Sequence, residues 1–255
     1  MGRFQDLTVL ITGATGGFGL KLAQRFAAEG ARLVLSDLDA ERLAATAATF
    51  DAPVATLAGT VADERLSQDL VALALDRFGR LDVAVNNAGI VHDFAKLPQT
   101  PSDVARRVFE VDLLGMFFAL KHQLPALERQ HKEAGIRSAV VNIASVAGIA
   151  GAPRLAVYAA AKHGVVGLTR SAAAEYATKG IRINAVCPSF ARTAMVTGVL
   201  GHDNPSGETE LTRGVPMKRL AEVDEIVEVI LFAADPRNSF MTGQTLAADG
   251  GITAI

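Results

Sequence analysis

Short apolar runs rich in β-branched residues alternate along this chain with longer segments in which apolar residues recur every three to four positions. The runs near Leu7–Ile11, Arg32–Ser36, Val54–Leu57, Leu81–Val85, Ala139–Ile143, Ile181–Val186 and Gln244–Ala247 predict strands. Periodic segments near Gly17–Glu29, Ala40–Thr49, Glu64–Phe78, Pro101–Glu128, Leu155–Thr178 and Val223–Ala233 predict helices between them. Continuous apolar strands joined by helical crossovers imply an α/β fold, a doubly wound parallel sheet of about seven strands with helices on both faces.

The boundaries carry chemical signals of their own. Thr100 reads as an N-cap, with Pro101 in the first helical position and Asp103 placed to reach back toward the cap. No repeat, low-complexity tract or linker divides the chain, and residues 1–255 read as one domain. Between Ala194 and Val215, glycine, proline and polar residues replace the period, and the segment reads as a mobile loop that closes over a ligand.

Composition narrows the function classes. Half of the 255 residues are hydrophobic, enough for one sizeable core. A net charge of −2 gives no basic field for a phosphate backbone, so nucleic acid is not an expected partner. The single cysteine, Cys187, has no partner for a disulfide, which fits a reducing compartment. The polar Met1–Asp6 leads into an apolar run too short for a signal peptide or a membrane span, and Asp6 stands where a myristoylation motif wants Ser or Thr. The default expectation is a cytoplasmic protein with no membrane partner. His92, His122, His131, His163 and His202 lack paired ligand spacing, and no metal site is expected.

The first strand runs into Thr12-Gly13-Ala14-Thr15-Gly16-Gly17-Phe18-Gly19 and then opens a helix. That is the setting of a Rossmann-type phosphate-binding turn: glycines let the backbone approach a pyrophosphate, and the helix N-terminus offers free N–H groups and a positive dipole end. Asp37 ends the second strand eighteen residues after Gly19, where a carboxylate can accept from ribose hydroxyls. It could instead cap the next helix, although Asp39 is available for that. A carboxylate there repels a 2′-phosphate, and the turn itself holds no Arg or Lys, so the expected cofactor is NAD.

Ser145 follows the fifth strand, and Tyr158-Ala159-Ala160-Ala161-Lys162 begins thirteen residues later. Tyr158 and Lys162 stand at i and i+4, on one helix face, so an ammonium beside the phenol favours phenolate.

Together these motifs resemble the short-chain dehydrogenase/reductase family over essentially the whole chain. The shared features are the turn at Thr12–Gly19, Asn86-Asn87-Ala88-Gly89, Ser145, Tyr158-x-x-x-Lys162, Asn184, Pro188 with Thr193, and Asp249-Gly250-Gly251. The resemblance implies that Tyr158 exchanges the substrate proton, Ser145 holds the substrate oxygen, Lys162 binds the nicotinamide ribose, and Thr193 anchors the carboxamide. Asn87, Ala88 and Gly89 would line the adenosine side and stabilise the sheet. Gly13, Thr15, Gly17, Phe18, Gly19, Asp37, Val61 and Pro188 would complete the cofactor contacts.

The chain departs from the family pattern at Thr60, where an acidic residue often meets the adenine, and at Ser189, in place of the glycine after Pro188. Val111-Asp112 stands where the family has Val-Asn, so the fourth candidate catalytic residue is Asp112: an isostere, a new proton-relay group, or a mark of reduced activity.

The expected activity is NAD-dependent oxidoreduction between a secondary alcohol and a carbonyl; the Pro101–Glu128 and Leu155–Thr178 helices resemble the family's main dimerisation elements, which implies a homotetramer with the apolar Gly251–Ile255 end at the other interface. The alternative is a catalytically weak dinucleotide-binding regulatory protein, motivated by Asp112 and Ser189. An epimerase or dehydratase of the extended type needs an added C-terminal domain for which 255 residues leave no room. Val91, Phe94, Ala147, Leu155, Phe190, Met195 and Val199 are the candidate substrate-facing residues, mostly apolar, implying an uncharged, hydrophobic alcohol or ketone.

Overall fold

The structure is a computed structural model, and it describes residues 2–194, 196 and 205–255. Seven strands form one sheet: β1 (Thr8–Thr12), β2 (Arg32–Ser36), β3 (Val54–Thr56), β4 (Val83–Asn86), β5 (Ser138–Ile143), β6 (Ile181–Pro188) and β7 (Thr245–Ala248). They lie in the order β3-β2-β1-β4-β5-β6-β7, every pair parallel. The order reverses between β1 and β4, and a crevice opens there at the strands' C-terminal ends.

Side chains alternate across the sheet and feed a core on each side. Val9, Ile11, Leu33 and Leu35 pack with Leu22 and Phe26 of α1 (Gly17–Ala28) and with Ile226 and Ile230 of the Val223–Ala234 helix. Leu10, Val34, Val140 and Ile183 face the other way, against α3 (Glu64–Phe78), α5 (Gly115–Ala134) and α6 (Ala156–Tyr176). Each fully buried Leu or Ile contributes about 1.5–3 kcal/mol, so the two cores hold the strand ends, and the groups they carry, in fixed register. The remaining helices are α2 (Ala40–Ala47), capped by Asp39 accepting from Arg42 N at 3.0 Å, α4 (Ser102–Val108), α7 (Pro205–Thr212) and α8 (Val223–Ala234).

Three expectations need correction. The segment 101–128 is not one α-helix: α4 passes into a π-helical turn, Phe109–Leu114, before α5 begins. The start of α4 lies one residue later than the sequence implies. A 3₁₀ turn over Leu97–Gln99 leaves Thr100 extended, so Pro101 is the N-cap and its carbonyl accepts from Ala105 N at 3.0 Å. Finally, the segment read as a loop over Ala194–Val215 contains α7, tethered by Arg192, which donates to Glu208 at 2.9 and 3.1 Å. Met195 and residues 197–204 lie outside the described residues.

Candidate active site

The crevice is a cleft of about 420 Å³ with the glycine turn after β1 at one end and Tyr158 at the other. Gly13, Thr15, Gly17 and Phe18 line it, as do Asp37, Asn87, Ala88, Gly89, Pro188 and Thr193. Gly19 does not. A Cβ there would lie on the Gly13 carbonyl oxygen, so its role is to let α1 close tightly on the turn. Val61 is not among the residues lining the cleft, and its side chain packs against Gly115 at the start of α5.

The turn is held from three directions. Asn87 Nδ2 donates to the carbonyls of Thr12 and Gly13 at 2.9 and 3.2 Å, while Thr12 Oγ1 accepts from Asn87 N and Ala88 N, both at 3.1 Å. Asp37 accepts from Thr15 N and Thr15 Oγ1 through one oxygen and from Leu38 N through the other. Arg42 reaches back from α2 and donates to the Thr15 carbonyl at 2.8 Å. The first turn of α1 carries neither a side-chain cap nor an acidic residue. Its N–H groups face the cleft and suit a phosphate.

At the other end, Ser145 caps a short 3₁₀ turn, Val146–Gly148, by accepting from Ala147 N at 3.1 Å. That bond uses a lone pair and leaves the hydroxyl proton free to donate into the cleft. Gly148 lies so close to α6 that a Cβ would stand 2.7 Å from the Lys162 carbonyl oxygen, which clamps the serine turn against the helix carrying Tyr158 and Lys162. Lys162 is buried, donates through Nζ to the Ile143 carbonyl at 3.1 Å, and lies 5.6 Å from the Tyr158 ring centroid.

The π-turn swings Asp112 inward, 1% exposed, where its Oδ1 accepts from Ile90 N at 2.8 Å and its Oδ2 stands 3.5 Å from Lys162 Nζ. Burial pulls the Lys162 ammonium down, but Asp112, then Tyr158 and Cys187, outweigh it and hold the group above its ordinary value. Burial pushes the Asp112 carboxyl above the usual carboxylate range, against the opposing pull of Lys162.

Val91, Phe94, Ala147, Leu155 and Phe190 line the Tyr158 end with Ala152, giving it an apolar wall, whereas Met195 and Val199 lie outside the described residues. Ser189 lines the cleft as well, its buried hydroxyl without a hydrogen-bond partner. Asn184 and Asp249 stand away from it: Asn184 ties β6 to the Met241–Gln244 turn, and Asp249 accepts from Gly251 N and Thr253.

Among the lining residues that sequence reasoning missed are Arg42, His92, Ala152 and Leu211. Arg42 was legible in principle, one turn into α2 and just past Asp39. His92 is 6% exposed, and its Nδ1 meets the Asp93 carbonyl at 2.8 Å. Since a carbonyl only accepts, Nδ1 carries the proton. No signal in the sequence separates it from the other histidines. His163 turns out to be bonded within its own helix, Nδ1 to the Ala159 carbonyl. Among the described residues no group of His, Cys, Asp or Glu could hold a metal, and no helix is long and apolar enough to cross a membrane.

A family model described as enoyl-(acyl carrier protein) reductase matches residues 13–253. The chain is 40% identical to a levodione reductase of Leifsonia aquatica, over 99% of this chain and 96% of that one. It is 38% identical to a cis-4-hydroxycyclohexanecarboxylate dehydrogenase of Sinomonas cyclohexanicum, over 99% and 98%. Among solved structures, a levodione reductase superposes with a TM-score of 0.92 at 38% identity, covering 99% of both chains. A 3-ketoacyl-(acyl-carrier-protein) reductase from Brucella melitensis complexed with NADH gives 0.90 at 30% identity, covering 98% of this chain and 99% of that one. ElxO with NADP bound gives 0.89 at 30% identity with the same coverage. With a family model spanning nearly all its length and relatives of this similarity end to end, the chain belongs to the short-chain dehydrogenase/reductase family of oxidoreductases.

Proposed function

We propose that this chain is an NAD(H)-dependent oxidoreductase interconverting a secondary alcohol and a ketone on an uncharged, six-membered carbocycle. The observation that carries the reading is the placement of Ser145, Tyr158 and Lys162 at an apolar end of the same cleft whose other end is the glycine turn. A ring bearing a hydroxyl fits that wall, and relatives are named for six-membered ring alcohols, the uncharged 2,5-dichloro-2,5-cyclohexadiene-1,4-diol and the carboxylate-bearing 4-hydroxycyclohexanecarboxylates; the apolar wall favours the uncharged kind here.

The free N–H groups of α1 and the Thr15–Gly17 backbone would hold the pyrophosphate, Asp37 the adenosine ribose, Lys162 the nicotinamide ribose, and Pro188 and Thr193 the nicotinamide. When bound, the nicotinamide supplies the hydride donor or acceptor. The chain's own residues handle the proton. Ser145 donates to the substrate oxygen and fixes it beside Tyr158. In reduction Tyr158 gives its phenolic proton to the alkoxide that forms; in oxidation the phenolate takes the hydroxyl proton while the carbinol hydrogen leaves as hydride. The buried Lys162 ammonium stabilises the phenolate, and the apolar wall excludes water from it.

Asp37 supports NAD over NADP. Exposed Leu114 and Phe117 at the head of α5, with Phe232, Phe240 and Ile255 elsewhere, support burial in a homotetramer. The buried, unpaired Cys187 fits a reducing cytoplasm. The intact Ser145–Tyr158–Lys162 arrangement favours an enzyme over a regulatory binding protein. The reading is tested by following nicotinamide absorbance with cyclic and acyclic alcohols and ketones, 3-hydroxyacyl thioesters, polyols and steroids. Turnover of ring alcohols with NAD supports it, and activity confined to the thioesters or to NADP contradicts it.

A further inference from the structure

The two polar groups that Asp112 meets are both donors. Oδ1 accepts from Ile90 N at 2.8 Å, and Oδ2, with no hydrogen-bond partner, stands 3.5 Å from the Lys162 ammonium. An asparagine side chain in this pose would turn its NH₂ toward one donor or the other, whichever way the amide were flipped, so only a carboxylate suits both. The pair is nearly closed to solvent, at 1% and 3% exposure, although Lys162 borders the cleft, and Gly89 packs over it: a Cβ there would lie 3.2 Å from Lys162 Nζ and 3.4 Å from Asp112 Oδ1. Lys162 also faces Tyr158 from its own helix and Cys187 from β6, while Lys162 is the charged group that faces Asp112.

We propose that Asp112 is the buried counter-ion of Lys162, a positioning residue that holds the ammonium in place and weakens its field at the Tyr158 oxygen. The proposal rests on the reading of Tyr158 as acid/base. Its consequence is directional. Removing the Asp112 charge leaves the ammonium's field at the Tyr158 oxygen uncompensated, so a variant without that charge should carry out oxidation at lower pH than the parent.

The chain has two tyrosines and no tryptophan, so the near-ultraviolet absorbance of phenolate reads the site directly. The full-length protein is titrated without substrate, with Tyr158→Phe assigning the Tyr158 transition and far-ultraviolet circular dichroism checking the fold. In Asp112→Asn the transition is expected to move to lower pH by on the order of one unit. The acid limb of kcat/KM for oxidation at saturating NAD should move with it. Asp112→Ser, which removes the charge with a smaller polar side chain, is the second variant and should move in the same direction. Superimposable titrations, or movement to higher pH, overturn the proposal. A parent without oxidation activity counts against the proposed function alone, because the absorbance titration still decides the charge question.

Discussion

One oxygen of the Asp37 carboxylate accepts from both the backbone N–H and the hydroxyl of Thr15, at 2.9 and 2.8 Å. The residue read as a ribose acceptor thus also braces the turn that holds the phosphates. Arg42 binds the Thr15 carbonyl from the opposite side, so a cation stands beside the turn although none lies within its sequence.

These contacts set an expectation for cofactor choice. Asp37→Ala removes the charge that opposes a 2′-phosphate and leaves Arg42 in place, so kcat/KM with NADP should rise relative to NAD by roughly 10-fold or more. Adding Arg42→Ala should cancel the gain. Steady-state kinetics with both cofactors checks it, and a parent that uses NADP as well as NAD contradicts the premise.

Cys187 lies on β6 with no solvent exposure, and burial pushes its thiol up to about 11. Since the thiolate is the nucleophile, the native protein should react negligibly with a disulfide reagent at about pH 8 and release one equivalent on unfolding. Rapid modification of the folded protein, with loss of activity, would show that β6 opens.

Light scattering at micromolar concentration should give the mass of four chains. Phe117→Glu, on the exposed face of α5, should lower it by adding charge to an apolar contact. A monomer mass for the parent would show that these side chains remain in solvent.

Much of this was legible along the chain because the sheet's strands are apolar throughout and its chemical motifs are local. The Tyr158–Lys162 pair needs only a helix to bring it together, and Asp39 announces α2 by a cap that the structure displays. The π-turn was not legible, because one inserted residue hardly alters the apolar period of 101–128, yet it is what turns Asp112 into the interior. Nor was the closure of Gly148 on Lys162, a contact between elements with no trace in either segment alone. The glycines and proline between 198 and 207 concealed α7, which Arg192 and Glu208 tie down across sixteen residues. The packing of Val61 against Gly115 at the start of α5 was likewise not legible, being a contact between distant segments.

The central claim is that Tyr158 carries the proton in a cleft that binds the dinucleotide through other groups. Tyr158→Phe keeps the ring and removes the exchangeable proton, so the most direct measurement pairs its turnover of a ring alcohol with NADH binding by fluorescence. The account predicts that kcat falls by about 10³-fold or more while the NADH dissociation constant stays within about threefold of the parent. Near-parental turnover, or loss of cofactor binding with activity retained, would place the acid/base elsewhere.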